Sequence, residues 1–246
     1  MTAETKTIRF EIDGRRIEAQ AGETIIEAAD HAGIYIPRLC HKPGLQPYGG
    51  CRLCTVLMDG RPCSACTQPA TNGSVIENDT EEVNQYRKGI IEMLFVEGNH
   101  FCMACEKSGN CELQAVAYRF GIAAPRFPHQ NPEREIDASH PDIIIDHNRC
   151  ILCARCKRTA AEVDGKEVFG FAGRGPGKRL IVNSVDGLGG TAIEVTDAAL
   201  DACPVGALMR KRVGFRVPVG SRLFDTAPIG TDIENQEQDT PREVKS

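Results

Sequence analysis

The sequence predicts an α+β protein made of several small domains rather than one large core. Three observations lead to this prediction. The chain has 246 residues, of which 41% are hydrophobic and only 5% aromatic, and it has no tryptophan. Short segments with the period-two alternation of strands are interleaved with segments of helical periodicity. Its 12 cysteines fall into groups along the chain, and metal groups bound by such cysteines can stabilise domains too small for a sizeable core.

The first unit, residues 4–79, has the pattern of a small sheet wrapped by one helix. Residues 7–12 alternate with period two and precede an Asp-Gly turn signal, so a β-hairpin is predicted. Residues 24–32 follow as a short helix that begins at Thr24, a residue type that caps helices, and is ended by Gly33. A further strand comes after it. Hairpin, helix and return strand together predict a ubiquitin-like sheet, the β-grasp fold.

The rest of the chain divides into two more cysteine-bearing units, a linker and a tail. The linker contains four prolines, and the tail is polar and acidic, as extended or disordered arms are. The boundaries that we predict are 80–121 for a small helical domain, 122–141 for the linker, 142–214 for a third domain and 215–246 for an extended C-terminal tail.

Charge and hydropathy exclude several classes of partner. The net charge of −5 disfavours a nucleic-acid surface. No apolar run approaches the length of a membrane span, and the N-terminus lacks the apolar segment of a secretory signal. We therefore expect a cytoplasmic protein with neither a nucleic-acid nor a membrane partner. Thiols stay reduced in the cytoplasm, so grouped cysteines there favour metal binding over disulfides.

The first cysteine group has the character of a [2Fe–2S] site. Plant-type ferredoxins use C-x4-C-x2-C…C, and this chain has Cys40-x10-Cys51-x2-Cys54, followed by Cys63 and Cys66. Two glycines precede the second cysteine, where a loop must curl tightly for its N–H groups to face sulfur. The alternative is a zinc site or unbound thiols, and the flanking strands and helix favour the cluster.

The second group offers three thiolates and one imidazole. Cys102-x2-Cys105-x5-Cys111 has His100 two residues before it. Three sulfurs cannot complete a four-iron cubane alone, and a fourth ligand of different chemistry would tune its potential. His100 is the candidate for that ligand. The alternative is a histidine with a structural role or an exposed one.

The third group is half of the ligand set of a two-cluster ferredoxin. Such ferredoxins carry two C-x2-C-x2-C-x3-C-P runs, and the last cysteine of each run binds the other cluster. Here Cys150, Cys153 and Cys156 begin one run, whose fourth position is alanine. Cys203 ends the other run, whose three earlier positions hold no cysteine. Crossed ligation therefore assigns all four cysteines to one [4Fe–4S] cluster and leaves its twin without ligands. The alternative is a zinc site with a stray Cys203.

Signatures of nucleotide binding and of catalysis are missing from the sequence. The glycine-rich segment 173–178 lacks the G-x4-G-K-[ST] spacing of a phosphate-binding loop, and no G-x-G-x-x-G follows a strand. No set of histidine, cysteine and carboxylate residues forms a plausible triad. We therefore expect no catalytic site on this chain.

The segment from Glu97 to Gln114 resembles a known family. It is similar to the cluster motif in the small iron–sulfur (diaphorase) subunit of cytoplasmic NAD-reducing [NiFe]-hydrogenases. The commoner form of that motif, H-x3-C-x2-C-x5-C, occurs in the large iron–sulfur subunit of respiratory complex I and in [FeFe]-hydrogenases. It has histidine where this chain has Gly98, and here the histidine is His100. The resemblance covers residues 5–225, and it extends to the N-terminal third of the complex I subunit.

The resemblance implies an electron relay. It favours Cys66 over Cys63, because Ala-Cys-x-x-Pro at residues 65–69 is similar to the ending of related sites. It implies one [2Fe–2S] and two [4Fe–4S] clusters on this chain, FMN and NAD on a partner flavoprotein diaphorase subunit, and the [NiFe] centre on partner hydrogenase small and large subunits. The expected ligands are Cys40, Cys51, Cys54 and Cys66 for [2Fe–2S]; His100, Cys102, Cys105 and Cys111 for one [4Fe–4S]; and Cys150, Cys153, Cys156 and Cys203 for the other.

Three alternatives stay open. The equivalent relay subunit of an NAD-dependent formate dehydrogenase or of a complex I-like NADH dehydrogenase would share these features. The iron–sulfur subunit of succinate dehydrogenase is similar in size, but its C-x4-C-x2-C motif and two complete ferredoxin runs are missing here. A zinc-bound interaction or scaffold protein belongs to a different class, and analysis for iron and labile sulfide separates it from the relays.

Overall fold

The structure is a computed structural model that describes residues 6–237. The strands are β1 Thr7–Ile12, β2 Arg15–Gln20, β3 Thr55–Met58, β4 Arg61–Ser64, β5 Val75–Glu77, β6 Ile136–Asp137, β7 Ile143–Asp146, β8 Phe169–Ala172, β9 Arg179–Val182 and β10 Leu208–Arg210. The α-helices are α1 Ile25–His31, α2 Glu81–Val96, α3 Glu112–Arg119, α4 Arg155–Glu162, α5 Ala198–Ala202 and α6 Thr231–Glu234. Short 3₁₀ turns occupy Cys102–Ala104, His147–Arg149, Gly175–Gly177, Gly187–Gly190 and Asn235–Glu237.

The first domain is the predicted β-grasp. Its five strands have the order β2-β1-β5-β3-β4, with β1 parallel to β5 and the other pairs antiparallel. The alternation in β1 places Ile8, Phe10 and Ile12 in the core. The helix α1 buries Ile25, Ile26, Ala28 and Ala29 in that same core. The fold class inferred from the alternation is therefore confirmed.

The start and the end of α1 are set by local chemistry. The Thr24 hydroxyl accepts the N–H of Glu27, and the Glu27 carboxylate accepts the N–H of Thr24, which together form a capping box. Gly33 ends the helix at φ +69°, a left-handed conformation that glycine adopts without strain. Both residues were predicted in these roles from the sequence.

A second apolar core joins the three units. It combines Leu39 and Leu53, from the cysteine-bearing loops of the first domain, with Ile91 of α2, Leu113 of α3 and Leu200 of α5, all of them 3% exposed or less. The helix α2, capped by Thr80, thus packs between the first domain and the later ones. The three units share this second core, and the first domain also has the separate core of its β-grasp sheet.

The third domain consists of two small sheets and a helix pair. The strands β10, β7 and β6 form one antiparallel sheet in that order, and β8 pairs with β9 as a hairpin. The helices α4 and α5 pack together beside them. The strand β6 lies in the segment 122–141 that was expected to be a linker, and it pairs with β7 through Ile136 and Asp137. The end of that segment is therefore part of the third domain.

The predicted C-terminal tail is partly folded onto the domains. The N–H of Phe224 donates to the carbonyl of Gly109 at 3.0 Å, and Arg119 of α3 donates to the carbonyl of Ile229 at 2.8 Å. Ile229 packs against the second core, and α6 follows it. The expectation of an extended arm is thus corrected for these residues, because one apolar side chain and several backbone bonds anchor a mostly polar segment. Residues 238–246 lie outside the described residues.

Among the residues described, no helix combines the length and the apolar character needed to cross a membrane.

Candidate metal centres

The first site lies where two loops meet at the edge of the β-grasp core. Cys40, Cys54 and Cys66 are 1% exposed or less, and Cys51 is half-buried. The N–H of Cys40 donates to the sulfur of Cys51 at 3.4 Å, and the N–H of Cys51 donates to the sulfur of Cys40 at 3.5 Å. These reciprocal bonds show the tight loop that the two glycines before Cys51 predicted.

The four thiols of this site are in mutual contact. Hydrogen bonds from the thiols of Cys51 and Cys66 lower the pKa of Cys40, and the same bonds to Cys40 raise the pKa values of Cys51 and Cys66. Cys54 also contacts Cys66, which lowers the pKa of the Cys54 thiol to about 7. Four sulfurs that compete for protons can all be thiolates only beside a strong positive charge. The donor set therefore fits an iron pair.

Cys63 lies apart from these sulfur contacts. It is on β4, opposite Val56 of β3, and it packs half-buried against the first core. Burial raises the pKa of its thiol, as expected for an unreactive structural cysteine. The structure thus brings the sulfur of Cys66 into contact with the sulfurs of Cys40 and Cys54.

The second site is a small cavity lined by His100, Cys102, Cys105 and Cys111. Nε2 of His100 is buried and has no hydrogen-bond partner. Burial, reinforced by the charge of Arg149, lowers the pKa of His100 to about 4. The imidazole is therefore neutral at physiological pH, which is the form that binds metals. An unpartnered buried nitrogen facing three thiols fits a cluster with one histidine ligand.

The position of His100 explains its unusual spacing. A β-carbon at Gly98 would come within 2.5 Å of Nε2 of His100. The imidazole therefore lies over Gly98, the position that carries the histidine in the commoner H-x3-C motif. The ring of His100 thus folds back over the backbone two residues earlier, and the glycine makes room for it. Phe95 packs edge-on against this ring at 5.6 Å between centroids.

Residues outside the motif hold the second site in place. Nη1 of Arg149 lies 3.8 Å from the sulfur of Cys105 and also donates to the carbonyl of Gly206 at 3.4 Å. The side chain of Gln114 accepts the N–H of Gly109 at 2.8 Å, which closes the loop between Cys105 and Cys111. The sequence reasoning missed Arg149. Its signal was a basic residue directly before a cysteine run, where a positive charge acts on nearby thiolates.

The third site is a small apolar cavity. Its walls carry Cys150, Cys153, Cys156 and Cys203, together with apolar side chains that include Phe171 and Leu180. Burial raises the pKa of Cys150 to about 11 and raises the pKa values of Cys153 and Cys156 as well. These three thiols resist ionisation in an apolar pocket and need a bound cation to become thiolates, and with Cys203 in the same wall the donor set fits a cubane cluster.

The loop of the third site has a strained backbone that curls around the cavity. Leu152 and Ala154 have φ values of +53° and +60°, and each lies beside Cys153. Such left-handed conformations are costly for residues other than glycine and persist where the surroundings enforce them. They turn the cysteine side chains to one side of the loop.

The positions of the missing second cluster are filled with small or apolar residues. Ala160, Ile193 and Ala199 stand where cysteines of a second ferredoxin site would be, and all three are 3% exposed or less within the second core. The fourth position is Thr196. The space that a second cluster would occupy is thus taken up by packing between α4 and α5.

Comparisons with protein families agree with this division. Residues 5–81 match a 2Fe-2S iron-sulfur cluster binding domain. Residues 87–126 match the iron-sulfur binding region of NADH-ubiquinone oxidoreductase-G, and residues 140–209 match the ferredoxin-like domain of NADH-quinone oxidoreductase subunit 3. The expectation of one [2Fe–2S] and two [4Fe–4S] clusters is confirmed at the level of these domains.

Individual relatives fall into two groups. The NAD-reducing hydrogenase HoxS subunit gamma of Cupriavidus necator is 36% identical over 91% of this chain and 95% of the relative. The 78 kDa subunit of mitochondrial NADH-ubiquinone oxidoreductase from Candida albicans is 35% identical over 85% of this chain, but over only 29% of its own length. This chain therefore spans about a third of the complex I subunits that it matches.

A solved structure gives the same assignment. One chain in the crystal structure of an NAD+-reducing [NiFe]-hydrogenase in the H2-reduced state superposes with a TM-score of 0.87 at 47% identity. The match covers 90% of this chain and 94% of that one. Near-complete coverage of both chains distinguishes this group from the longer complex I subunits, so the chain belongs to the family of the gamma, iron–sulfur subunits of NAD-reducing hydrogenases.

Proposed function

We propose that this chain carries electrons between an FMN and NAD site on a flavoprotein partner and a [NiFe] site on a hydrogenase partner in the cytoplasm. The observation that supports this most strongly is the presence of three sulfur-lined sites in one chain whose three units are joined by a shared core. Bound in these sites, iron–sulfur clusters supply one-electron transfer. The chain itself binds them, keeps water away and sets their spacing.

The ligands in this proposal are those expected from the sequence. They are Cys40, Cys51, Cys54 and Cys66 in the first site; His100, Cys102, Cys105 and Cys111 in the second; and Cys150, Cys153, Cys156 and Cys203 in the third. Support comes from the mutual contacts of the first four sulfurs and from the cavities that the other two sets line.

We further propose that the third site lies between the other two along the electron path. Arg158, on the helix that carries Cys156, donates to the carbonyl oxygen of Cys40 in the first site. Arg149, directly before Cys150, lies 3.8 Å from the sulfur of Cys105 in the second site. The third site thus adjoins both neighbours through single side chains.

The second site has an edge at the surface. Cys102 is half-buried, and Met103 beside it is 85% exposed. In the proposed relay, this edge is a place where electrons pass to or from a partner subunit, because a partner's redox centre can approach the site there.

Iron and sulfide analysis of anaerobically purified protein tests the relay. We expect about ten irons and about ten labile sulfides, from one [2Fe–2S] and two [4Fe–4S] clusters, with separate EPR signals on stepwise reduction. About fourteen irons would reveal a fourth cluster and refute the missing-twin interpretation. Stoichiometric zinc without sulfide would exclude the relay.

The identity of the partners needs a second measurement. Co-purified with its native partners, the complex is expected to reduce NAD+ with hydrogen as the electron donor. If formate supported NAD+ reduction and hydrogen did not, the attached enzyme would be a formate dehydrogenase. The iron–sulfur relay would stand in that case, but the hydrogenase partners would not.

A further inference from the structure

One buried arginine contacts all three cluster loops. Arg155 is the first residue of α4 and is 3% exposed. It lies between Cys153 and Cys156 in the sequence. Its Nη1 donates to the carboxylate of Glu112 at 2.6 Å, and its Nη2 donates to the carbonyl of His41 at 2.7 Å.

The two acceptors have a special place in the sequence. Glu112 directly follows Cys111 of the second site, and His41 directly follows Cys40 of the first. The guanidinium of Arg155 therefore joins the residue after Cys111 in the second site to the residue after Cys40 in the first. Arg155 itself belongs to the ligand-bearing loop of the third site.

Other side chains of α4 also bind the loop of the first site. Arg158, one turn later, donates to the carbonyl oxygens of Cys40 and Gln46. Glu162, at the end of the helix, accepts the N–H of Gln46 at 3.0 Å. The loop that follows Cys40 is thus attached along the length of α4, and Arg155 adds the link from this pair to the second site.

Polar contacts account for an arginine at this position. Its guanidinium donates at once to the Glu112 carboxylate and to the His41 carbonyl, and an apolar side chain could satisfy neither acceptor. Arginine stays protonated throughout the physiological pH range. The guanidinium therefore places a positive charge inside the protein, beside the loop of the third site.

We propose that Arg155 is a positioning residue for electron transfer that holds the three sites together and whose charge makes the third site easier to reduce. A positive charge in a low-dielectric interior stabilises an added electron. Glu112, as its ion-pair partner, offsets part of that effect. The inference rests on the proposed relay function, since it concerns potentials of clusters in the proposed sites.

A redox titration of the full chain, followed by EPR, tests this inference. In Arg155→Met, the equilibrium constant for reduction of the third site is expected to fall about tenfold, which is about 59 mV toward lower potential for one electron. In Glu112→Gln, the potential is expected to move the other way. In Arg155→Lys, the reduction potential of the third site should stay close to the wild-type value, because the positive charge remains. A purely structural role would not give shifts of opposite sign in Arg155→Met and Glu112→Gln.

Arg87 provides a matched control. It is also a buried arginine, 2% exposed, and it donates to the carbonyl oxygens of Asn78 and Thr55 in the first domain. Arg87→Met removes a buried guanidinium of similar burial, but the potential of the third site should stay at the wild-type value. An equal shift in Arg87→Met would overturn the assignment to Arg155.

The outcomes distinguish a failure of the proposed role of Arg155 from a failure of the proposed relay function. If wild-type protein contains about ten irons and neither Glu112→Gln nor Arg155→Met moves the third potential, the inference is wrong and the relay stands. If wild-type protein contains no iron–sulfur cluster, the proposed function itself is wrong. If Arg155→Met fails to fold, Glu112→Gln still tests the inference, because it keeps the arginine and is expected to raise the reduction potential of the third site.

Discussion

The first and second sites differ in where their structural support comes from. The first takes all four sulfurs from one β-grasp domain, and its loops are tied by their own reciprocal N–H to sulfur bonds. The loop of the second site is supported by other parts of the chain: Arg149 and Gly206 belong to the third domain, and Arg222 of the C-terminal arm donates to the carbonyl of Ser108 at 3.3 Å. The sulfurs of the first site therefore come from one domain, with α4 attached to the loop after Cys40, whereas the loop of the second site is supported by the third domain and by the C-terminal arm.

This difference determines how each site responds to change. A substitution in the first domain acts on the first site mainly by removing a ligand or by weakening the core around it. The second site can be disturbed from several distant positions, because each of its supports comes from a different segment. The following experiments test that contrast.

The largest effect is expected from loss of a sulfur in the first site. Cys66→Ser should remove the [2Fe–2S] EPR signal and about two irons, because its thiol contacts both Cys40 and Cys54. The matched variant Cys63→Ser should retain both, since Cys63 lies on β4 away from those contacts. The other two clusters should be unaffected in either variant. Loss of the signal in Cys63→Ser alone would reassign the fourth ligand.

A smaller effect is expected at His100, where the fourth ligand can be exchanged. His100→Cys should still assemble a cluster, but its reduction potential should fall, because an anionic thiolate replaces a neutral imidazole. Hydrogen-linked NAD+ reduction by the complex should slow, while dye reduction at the partner flavin should continue. If His100→Ala changed neither the spectrum nor the potential of this cluster, the fourth ligand would have to be another group.

Gly98 provides a more subtle test of the same ligand. In Gly98→Ala, the added β-carbon would lie 2.5 Å from Nε2 of His100 and 2.9 Å from the carbonyl of Asn148, so the ring must move. The spectrum of the second cluster should change while the first cluster stays as in wild type. Gly89→Ala, in the middle of α2, meets no atom within 4 Å and should stabilise the helix by about 0.5–1 kcal/mol. Identical cluster spectra in both variants would contradict the proposed position of the imidazole.

The smallest effect is expected from the C-terminal arm. The carboxylate of Asp225 accepts bonds from Gly220 and Arg222 and thereby holds the arm beside the loop of the second site. Asp225→Ala should increase amide hydrogen exchange several-fold in residues 105–111, as expected when a local support is removed. Exchange in residues 40–54 should not change. Equal changes in both segments would remove the contrast between the two sites.

Much of the fold could be predicted because its signals are local. Thr24 and Gly33 marked the ends of α1 through a cap and a left-handed turn, and period-two alternation marked the hairpin. The cysteine sets were visible because ligand spacing in a loop is fixed by the size of the group that it surrounds. Apart from Cys203, which lies far along the chain from Cys156, residues close together in the sequence carry the signal in each case.

What the sequence could not indicate depends on distant contacts. The polar composition of the arm predicted an unstructured segment. In the structure, Ile229 packs against the second core and its carbonyl accepts a hydrogen bond from Arg119 of α3. The shifted spacing of His100 has no explanation in the sequence, and only the fold shows that its ring lies over Gly98. The contacts of Arg155 could not be predicted from the sequence, because its two hydrogen-bond partners are 43 and 114 residues away.

The shared core has a consequence for how the protein is made. Leu39 and Leu53 flank cysteines of the first site, yet both pack in the core that contains Leu200 and Val205. During synthesis, the first domain leaves the ribosome long before those late residues exist, so the apolar side of its cysteine loop stays exposed to water and to other chains. The loop is covered only when the last quarter of the chain has emerged. Maturation of the first site is therefore linked to completion of the chain, although its ligands are among the first residues made.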